Sequence, residues 1–107
     1  MARRVLSGQY VGLSERGSNA LQTLKRYDDA VRLYTLATEL DPDRPGAYYY
    51  LAWAYNAKGD KKKALKALQT AVNKGFKDHA GISSNSAFDS LRNDPTYLQL
   101  IEKMRGN

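Results

Sequence analysis

The chain of 107 residues contains no cysteine, which excludes a disulfide framework and a zinc site built on thiolates. Its single histidine, His79, is not spaced from Ser83 or Ser84 so as to place an acid, a base and a nucleophile on one rigid element. We interpret His79 as a loop residue and expect no enzymatic activity, no cofactor and no metal site. The apolar runs are only a few residues long and no signal sequence follows Met1, so a cytoplasmic protein without a membrane span is predicted.

Positive charge is concentrated in one part of the chain. Seventeen basic and 11 acidic residues give a net charge of +6, and the segment 58–77 holds the whole excess, with Lys62, Lys63 and Lys66 predicted on the outer face of a helix. Such a run is usually a solvated surface. Lysines in a first helical turn oppose the helix dipole, however, so a basic face that binds an acidic partner or nucleic acid is an alternative. Nucleic acid is the less expected of the two, because the cluster lacks arginine and has no aromatic residue on the same helix.

An internal repeat with a period of 34 residues is the strongest pattern in the sequence. Its two copies read Ala30-x3-Tyr34-x2-Ala37 and Ala64-x3-Leu68-x2-Ala71. Self-similarity at a fixed period of this length is typical of stacked helical units, each of which buries its apolar face against a neighbour. The sequence therefore predicts an all-α fold of two helical hairpins.

Caps and breakers set the limits of the second hairpin. Its first helix is predicted between Pro45 and Lys58. Its second helix is expected to be capped by Asp60 and to end at Gly75, since a glycine readily adopts the left-handed conformation that closes a helix. These signals predict a helix, a tight turn and a second helix.

The first hairpin carries a weaker signal. A helix opens near Asp28 and closes before Pro42. Its partner is predicted at about residues 13–25, but Gly17 occupies a place where a large apolar residue would pack. After the second hairpin the chain turns polar, which predicts a loop. Asp94-Pro95 then starts a final helix that covers the exposed end of the array.

The second hairpin resembles the tetratricopeptide repeat. Its pattern is Tyr48-x2-Leu51-Ala52-x2-Tyr55-x3-Gly59-Asp60-x3-Ala64-x3-Leu68-x2-Ala71. The closing segment Leu91-Arg92-Asn93-Asp94-Pro95-x-Tyr97-x2-Leu100 is similar to that of many bacterial tetratricopeptide proteins, in which phenylalanine is more usual than Tyr97. The resemblance implies a right-handed superhelix fragment with a capping helix, in a bacterial protein.

The resemblance also implies a function. Tetratricopeptide arrays are non-catalytic scaffolds that bind a partner peptide or helix in a concave groove, lined by the first helix of each repeat. Mapped residue by residue, this lining includes Glu15, Asn19, Gln22, Tyr49, Trp53 and Asn56, with Thr23 and Ala57 beside them. The family's clamp for a terminal carboxylate is not expected, because Glu15 and Tyr50 depart from its lysine and asparagine positions.

These interpretations divide the chain into four parts. They are an N-terminal segment (1–12) that would extend the first helix, repeat one (13–44), repeat two (45–78) and a C-terminal loop with a capping helix (79–107). Structural self-assembly is a further alternative, in which Val5, Leu6 and Tyr10 would form an end face for a second copy.

Overall fold

The computed structural model describes the backbone of residues 2–106 and the side chains of residues 8–106, and every regular element within them is helical. In chain order these are α1 (Ala2–Ser18), continued by a π-helical turn (Asn19–Thr23), α2 (Tyr27–Leu40), α3 (Pro45–Ala57), α4 (Lys61–Asn73), α5 (His79–Ser84), a 3-10 helix (Ser86–Leu91) and α6 (Pro95–Gly106). α1 packs on α2 and α3 on α4 as antiparallel pairs, and α2 contacts α3. The predicted all-α class of helical hairpins is confirmed.

The predicted capping residues lie at the ends of the helices. Two of them are aspartates whose carboxylates accept hydrogen bonds from backbone N–H groups at the start of a helix. The backbone N–H of Lys63 donates to Asp60 Oδ1 at 3.1 Å, and that of Thr96 donates to Asp94 Oδ1 at 2.8 Å. Gly75 ends α4 with φ of +105°. Each side chain satisfies a backbone group that the helix itself leaves unpaired, a contribution of about 1 kcal/mol.

The first helix is longer than residues 13–25 and contains an irregular turn. It begins at Ala2, and near its end the N–H of Leu24 donates to the carbonyl of Asn19 at 3.0 Å, an i to i+5 bond. Such a π-helical turn holds one residue more than an α-helical turn. Residues before the turn are therefore displaced by one position from the strict 34-residue period, so Gly17 corresponds to Ala52.

Both hairpins turn at a residue in the left-handed region, but only one of these residues is a glycine. Gly59 has φ of +87°, and Lys25, which lies 34 residues earlier, has φ of +57°. A side chain costs roughly 1 kcal/mol in this region, because its Cβ crowds the following carbonyl oxygen. The first turn is therefore strained where the second is not.

We expect Lys25→Gly to raise the free energy of unfolding by about 1 kcal/mol, since it removes this strain. The Lys25 side chain is exposed, so little contact is lost. Urea denaturation followed by circular dichroism measures the change. The reciprocal variant Gly59→Ala should lose a similar amount, and a stability loss in both variants would contradict the strain at Lys25.

Alanines occupy many of the buried positions between the helices. Those with no exposed surface are Ala30, Ala37, Ala52, Ala54, Ala64 and Ala71. Between the helices of the first hairpin, the large ring of Tyr34 fills the remaining space. A Cβ on Gly17 would lie 2.8 Å from Tyr34 Cε2, so the glycine permits a close approach to that ring. The expectation that a large apolar residue would pack at position 17 is wrong for this reason.

The start of the C-terminal segment is helical, although its polar composition predicted a loop. The carboxylate of Asp78 accepts a hydrogen bond from the N–H of Gly81 at 2.9 Å and caps α5. His79 is therefore the first residue of a short helix and not a loop residue. The polar composition concealed this helix, because Ile82 is the only large apolar residue within it.

Three apolar side chains attach this segment to the second hairpin. Ile82, Phe88 and Leu91 have no exposed surface. Arg92 adds a polar connection, since its guanidinium donates to the carbonyl of Ser83 and forms an ion pair with a carboxylate of the 3-10 helix. Residues 76–92 are thus a packed part of the domain, between α4 and α6.

The hydroxyl of Tyr97 on α6 has no hydrogen-bond partner in the described part of the chain, although the residue is only 3% exposed. We expect Tyr97→Phe to stabilise the fold by about 1 kcal/mol, because a buried unpaired hydroxyl carries a desolvation cost. Thermal unfolding measures the effect. Tyr49→Phe is the matched control and should be destabilising, since the Tyr49 hydroxyl accepts a hydrogen bond from Asn85.

Candidate interaction groove

Three aromatic side chains lie together on α3. The ring centroids of Tyr50 and Trp53 are 5.9 Å apart in a stacked arrangement, and Tyr49 meets Trp53 edge-on at 6.3 Å. All three are partly exposed. Tyr50 also stacks on Tyr34 of α2 at 5.4 Å, which links the aromatic group to the first hairpin. Mutual contacts of this kind hold each ring in one orientation.

Tyr49 contacts the C-terminal segment of the chain. Its ring stacks on Phe76 at 4.7 Å and lies 5.7 Å from Phe88, and Asn85 Nδ2 donates to its hydroxyl at 2.9 Å. Burial raises the pKa of the Tyr49 hydroxyl, and the bond from Asn85 offsets part of that rise. Tyr49 is therefore packed against the chain's own C-terminal segment.

Asn56, one turn beyond Trp53, contacts the same segment. Its Nδ2 donates to the carbonyl of Ala87 at 2.6 Å, and its amide group also exchanges hydrogen bonds with Ser90 Oγ at 3.0 and 3.1 Å. The 3-10 helix thus lies along one end of α3. Sequence reasoning did not identify Asn85 or Ser90, since their only signal was a polar composition that resembled a loop.

The three predicted groove residues of the first hairpin are exposed. Glu15 lies on α1, Asn19 begins the π-helical turn, and Gln22 lies within it and donates to Ser18 Oγ at 2.9 Å. In the described residues they share no hydrogen bond with the side chains on α3. Because of the extra residue in the turn, Glu15 does not occupy the position that a regular helix would give it. Their role in binding stays a prediction.

The predicted basic face lies on α4. Lys62, Lys63 and Lys66 are all exposed, as the sequence pattern predicts for the side opposite the buried alanines. Lys63 Nζ is 5.7 Å from the centroid of the Tyr55 ring, within the range of a cation–π contact. The three ammonium groups therefore form one solvent-facing positive surface.

A salt bridge joins the two hairpins near this face. Lys58 Nζ is 2.6 Å from Asp28 Oδ1. The hydrogen bond from Lys58 is the main cause that holds the pKa of the Asp28 carboxyl below its ordinary value, and the same bond raises the pKa of Lys58. Both groups are open to water, so this bridge contributes little to stability.

Two other features, a cluster of metal ligands and a membrane-spanning helix, are not found among the described residues. No three of the side chains His, Cys, Asp and Glu come together as metal ligands would among residues 2–106. A helix with the length and apolarity required to cross a membrane is likewise not found in the part of the chain that the structure describes.

Comparison with known proteins agrees with the helical-hairpin geometry. A family model described as tetratricopeptide repeat matches residues 21–82, which is more than half of the chain and includes α2, α3 and α4. Neither a curated protein nor a solved structure gives a significant match. The family consists of protein–protein interaction modules that are typically non-catalytic. By this match and by its paired helices, the chain belongs to the tetratricopeptide repeat family.

Proposed function

We propose that the chain is a non-catalytic scaffold that binds a peptide or helix of a partner protein along α3, with Trp53 as the main anchor. One observation carries this proposal. The Trp53 ring is partly exposed while Tyr49 and Tyr50 support it at 6.3 and 5.9 Å. A rigid, accessible aromatic ring loses little conformational entropy when a ligand covers it, and such residues dominate binding energies.

The chain's own C-terminal segment limits where the partner would lie. Tyr49 and Asn56 already contact that segment. We therefore expect them to hold the binding surface in place and not to contact the partner directly. The partner would then cover Trp53 together with the exposed side chains of the first hairpin, Glu15, Asn19 and Gln22. Polar side chains of this kind supply hydrogen bonds around an aromatic anchor.

The experiment is selection from a random peptide library, followed by titration of the selected peptides. Trp53 is the only tryptophan in the sequence, so its fluorescence reports on occupation of the proposed site in the wild type, and the anisotropy of a labelled peptide measures binding to the wild type and to Trp53→Ala alike. Trp53→Ala should weaken binding by at least about tenfold, as for an interface hot spot, while circular dichroism shows an intact fold. Peptides that bind wild type and Trp53→Ala equally would refute the proposal.

The exposed lysines of α4 favour a second candidate, recognition of an acidic protein segment. Among the described residues no ion pair is formed by Lys62 or Lys66, so their charge is available to a partner. Binding through this face would weaken strongly as salt rises and would be lost in the variant Lys62→Glu/Lys63→Glu/Lys66→Glu. Binding through α3 would tolerate salt and this variant, so the two candidates are distinguished. Nucleic acid that binds with the same salt dependence would replace the acidic protein as ligand.

A further inference from the structure

The outer side of the first hairpin exposes a leucine-rich surface. Leu36 in the middle of α2 is 46% exposed, and Leu13, Leu33 and Leu40 around it are partly exposed. The opposite side of α2 is covered, since Tyr34 stacks on α3. In a stacked array each hairpin buries both sides, so this is the end at which the array of the described residues lacks a neighbour.

This leucine-rich surface has one protruding side chain and two grooves beside it. Leu36 stands between two grooves, one bounded by Gly12 and Leu13 of α1 and the other by Val31 and Thr35 of α2. The groove beside Gly12 is open, because no described atom outside its own helical turns lies within 4 Å of the place where its Cβ would be. A surface that carries both a protruding leucine and a groove of matching character can pair with a copy of itself.

The charges on α2 are arranged for such self-pairing. Arg32 precedes Leu36 by one turn and Glu39 follows it by about one turn, and both are exposed. Arg32 also forms an exposed ion pair with Asp29 of its own chain at 3.0 Å, which Glu39 of a second copy would share or replace. If two α2 helices cross antiparallel about a two-fold axis near Leu36, Arg32 of one copy faces Glu39 of the other. Symmetry then produces this pair of opposite charges twice. A crossing with parallel helices would place like charges together.

We propose that the chain forms a two-fold symmetric homodimer through this Leu36 face, with Leu36 of each copy in the groove of the other and two Arg32–Glu39 ion pairs at the rim. The face differs from the end surface of Tyr10, which is buried beneath the Arg44 guanidinium at 4.4 Å. The side chains of Val5 and Leu6 lie outside the described residues. The dimer does not use Trp53, so it is independent of the proposed peptide site.

Sedimentation equilibrium of the full chain over a wide concentration range tests the dimer. Wild type should show a reversible monomer–dimer equilibrium, and Leu36→Glu should raise its dissociation constant by at least about tenfold, which corresponds to about 1.4 kcal/mol. Leu98→Glu is the matched control, since Leu98 on α6 is also exposed, by 51%, but lies at the other end of the array. It should leave the equilibrium unchanged.

Charge exchange tests the antiparallel arrangement. Arg32→Glu and Glu39→Arg alone should each weaken the dimer, and the double variant Arg32→Glu/Glu39→Arg should restore it, because the opposite charges then meet again with their places exchanged. A wild-type chain that stays monomeric throughout the concentration range would overturn the proposal. A dimer that survives Leu36→Glu, or that Leu98→Glu dissociates, would overturn it as well.

Discussion

Replacement of Phe88 by alanine should lower the free energy of unfolding by about 3–5 kcal/mol. The Phe88 side chain has no exposed surface and lies 5.7 Å from the ring of Tyr49, so its removal leaves a cavity between the C-terminal segment and α3. A domain of this size has only about 5–15 kcal/mol of stability in total. The variant should therefore be close to unfolding at ambient temperature.

Urea denaturation read by two probes makes this test specific. Circular dichroism reports on all helices, whereas the fluorescence of Trp53, the only tryptophan, reports on α3. If the C-terminal segment is part of one cooperative unit, both signals should shift together in Phe88→Ala. Leu98→Ala, which removes an exposed leucine from α6, should change stability by less than about 0.5 kcal/mol. A loss under about 1 kcal/mol in Phe88→Ala would mean that the segment is not required for the fold.

The second large effect is expected at Gly17. In Gly17→Ala the new Cβ would lie 2.8 Å from Tyr34 Cε2 and 2.9 Å from Cζ. The Tyr34 ring has little room to move, because it stacks on Tyr50 at 5.4 Å and its hydroxyl donates to the carbonyl of Ser14 at 3.3 Å. Overpacking of this kind costs about 1–3 kcal/mol, and the gain in helix propensity offsets about 1 kcal/mol. We therefore expect a net loss of up to about 2 kcal/mol, measured by urea denaturation.

Two further variants separate overpacking from other effects. In Gly8→Ala the new Cβ would have no described atom outside its own helical turns within 4 Å, so this variant of the same helix should be stabilising by up to about 1 kcal/mol. In a Tyr34→Leu background, which copies Leu68 of the second hairpin, Gly17→Ala should no longer be destabilising, because the smaller side chain leaves space for the Cβ. A similar loss from Gly17→Ala with and without the tyrosine ring would contradict the contact.

The hairpins could be predicted because their signals are local and periodic. Apolar residues three or four apart define each helix face, and the cap Asp60 and the left-handed Gly75 act within a few residues of their own position. Repetition at 34 residues then implies stacking, since one hairpin cannot bury its apolar face alone. These features do not require any knowledge of distant contacts.

The C-terminal segment could not be predicted in the same way. Phe88 and Leu91 are three residues apart, but Ile82 precedes Phe88 by six residues, so the three do not form one helical stripe. They are buried because α3 and α6 pack against this segment. The same packing brings Tyr49 of α3 into contact with the C-terminal segment. From the sequence, Tyr49 and Trp53 were equivalent candidates for the groove, and only the positions of Phe76 and Asn85 distinguish the two.

By itself, the sequence determined the helical class, the two hairpins, the helix caps and the basic surface of α4, because each depends on residues close together in the chain or on a strict period. The tertiary structure alone decided the π-helical turn, the reason that position 17 holds a glycine, and the packing of Tyr49 against the C-terminal segment. Each of these depends on how side chains from distant parts of the chain pack together in the same space, and a periodic sequence pattern contains no information about such contacts.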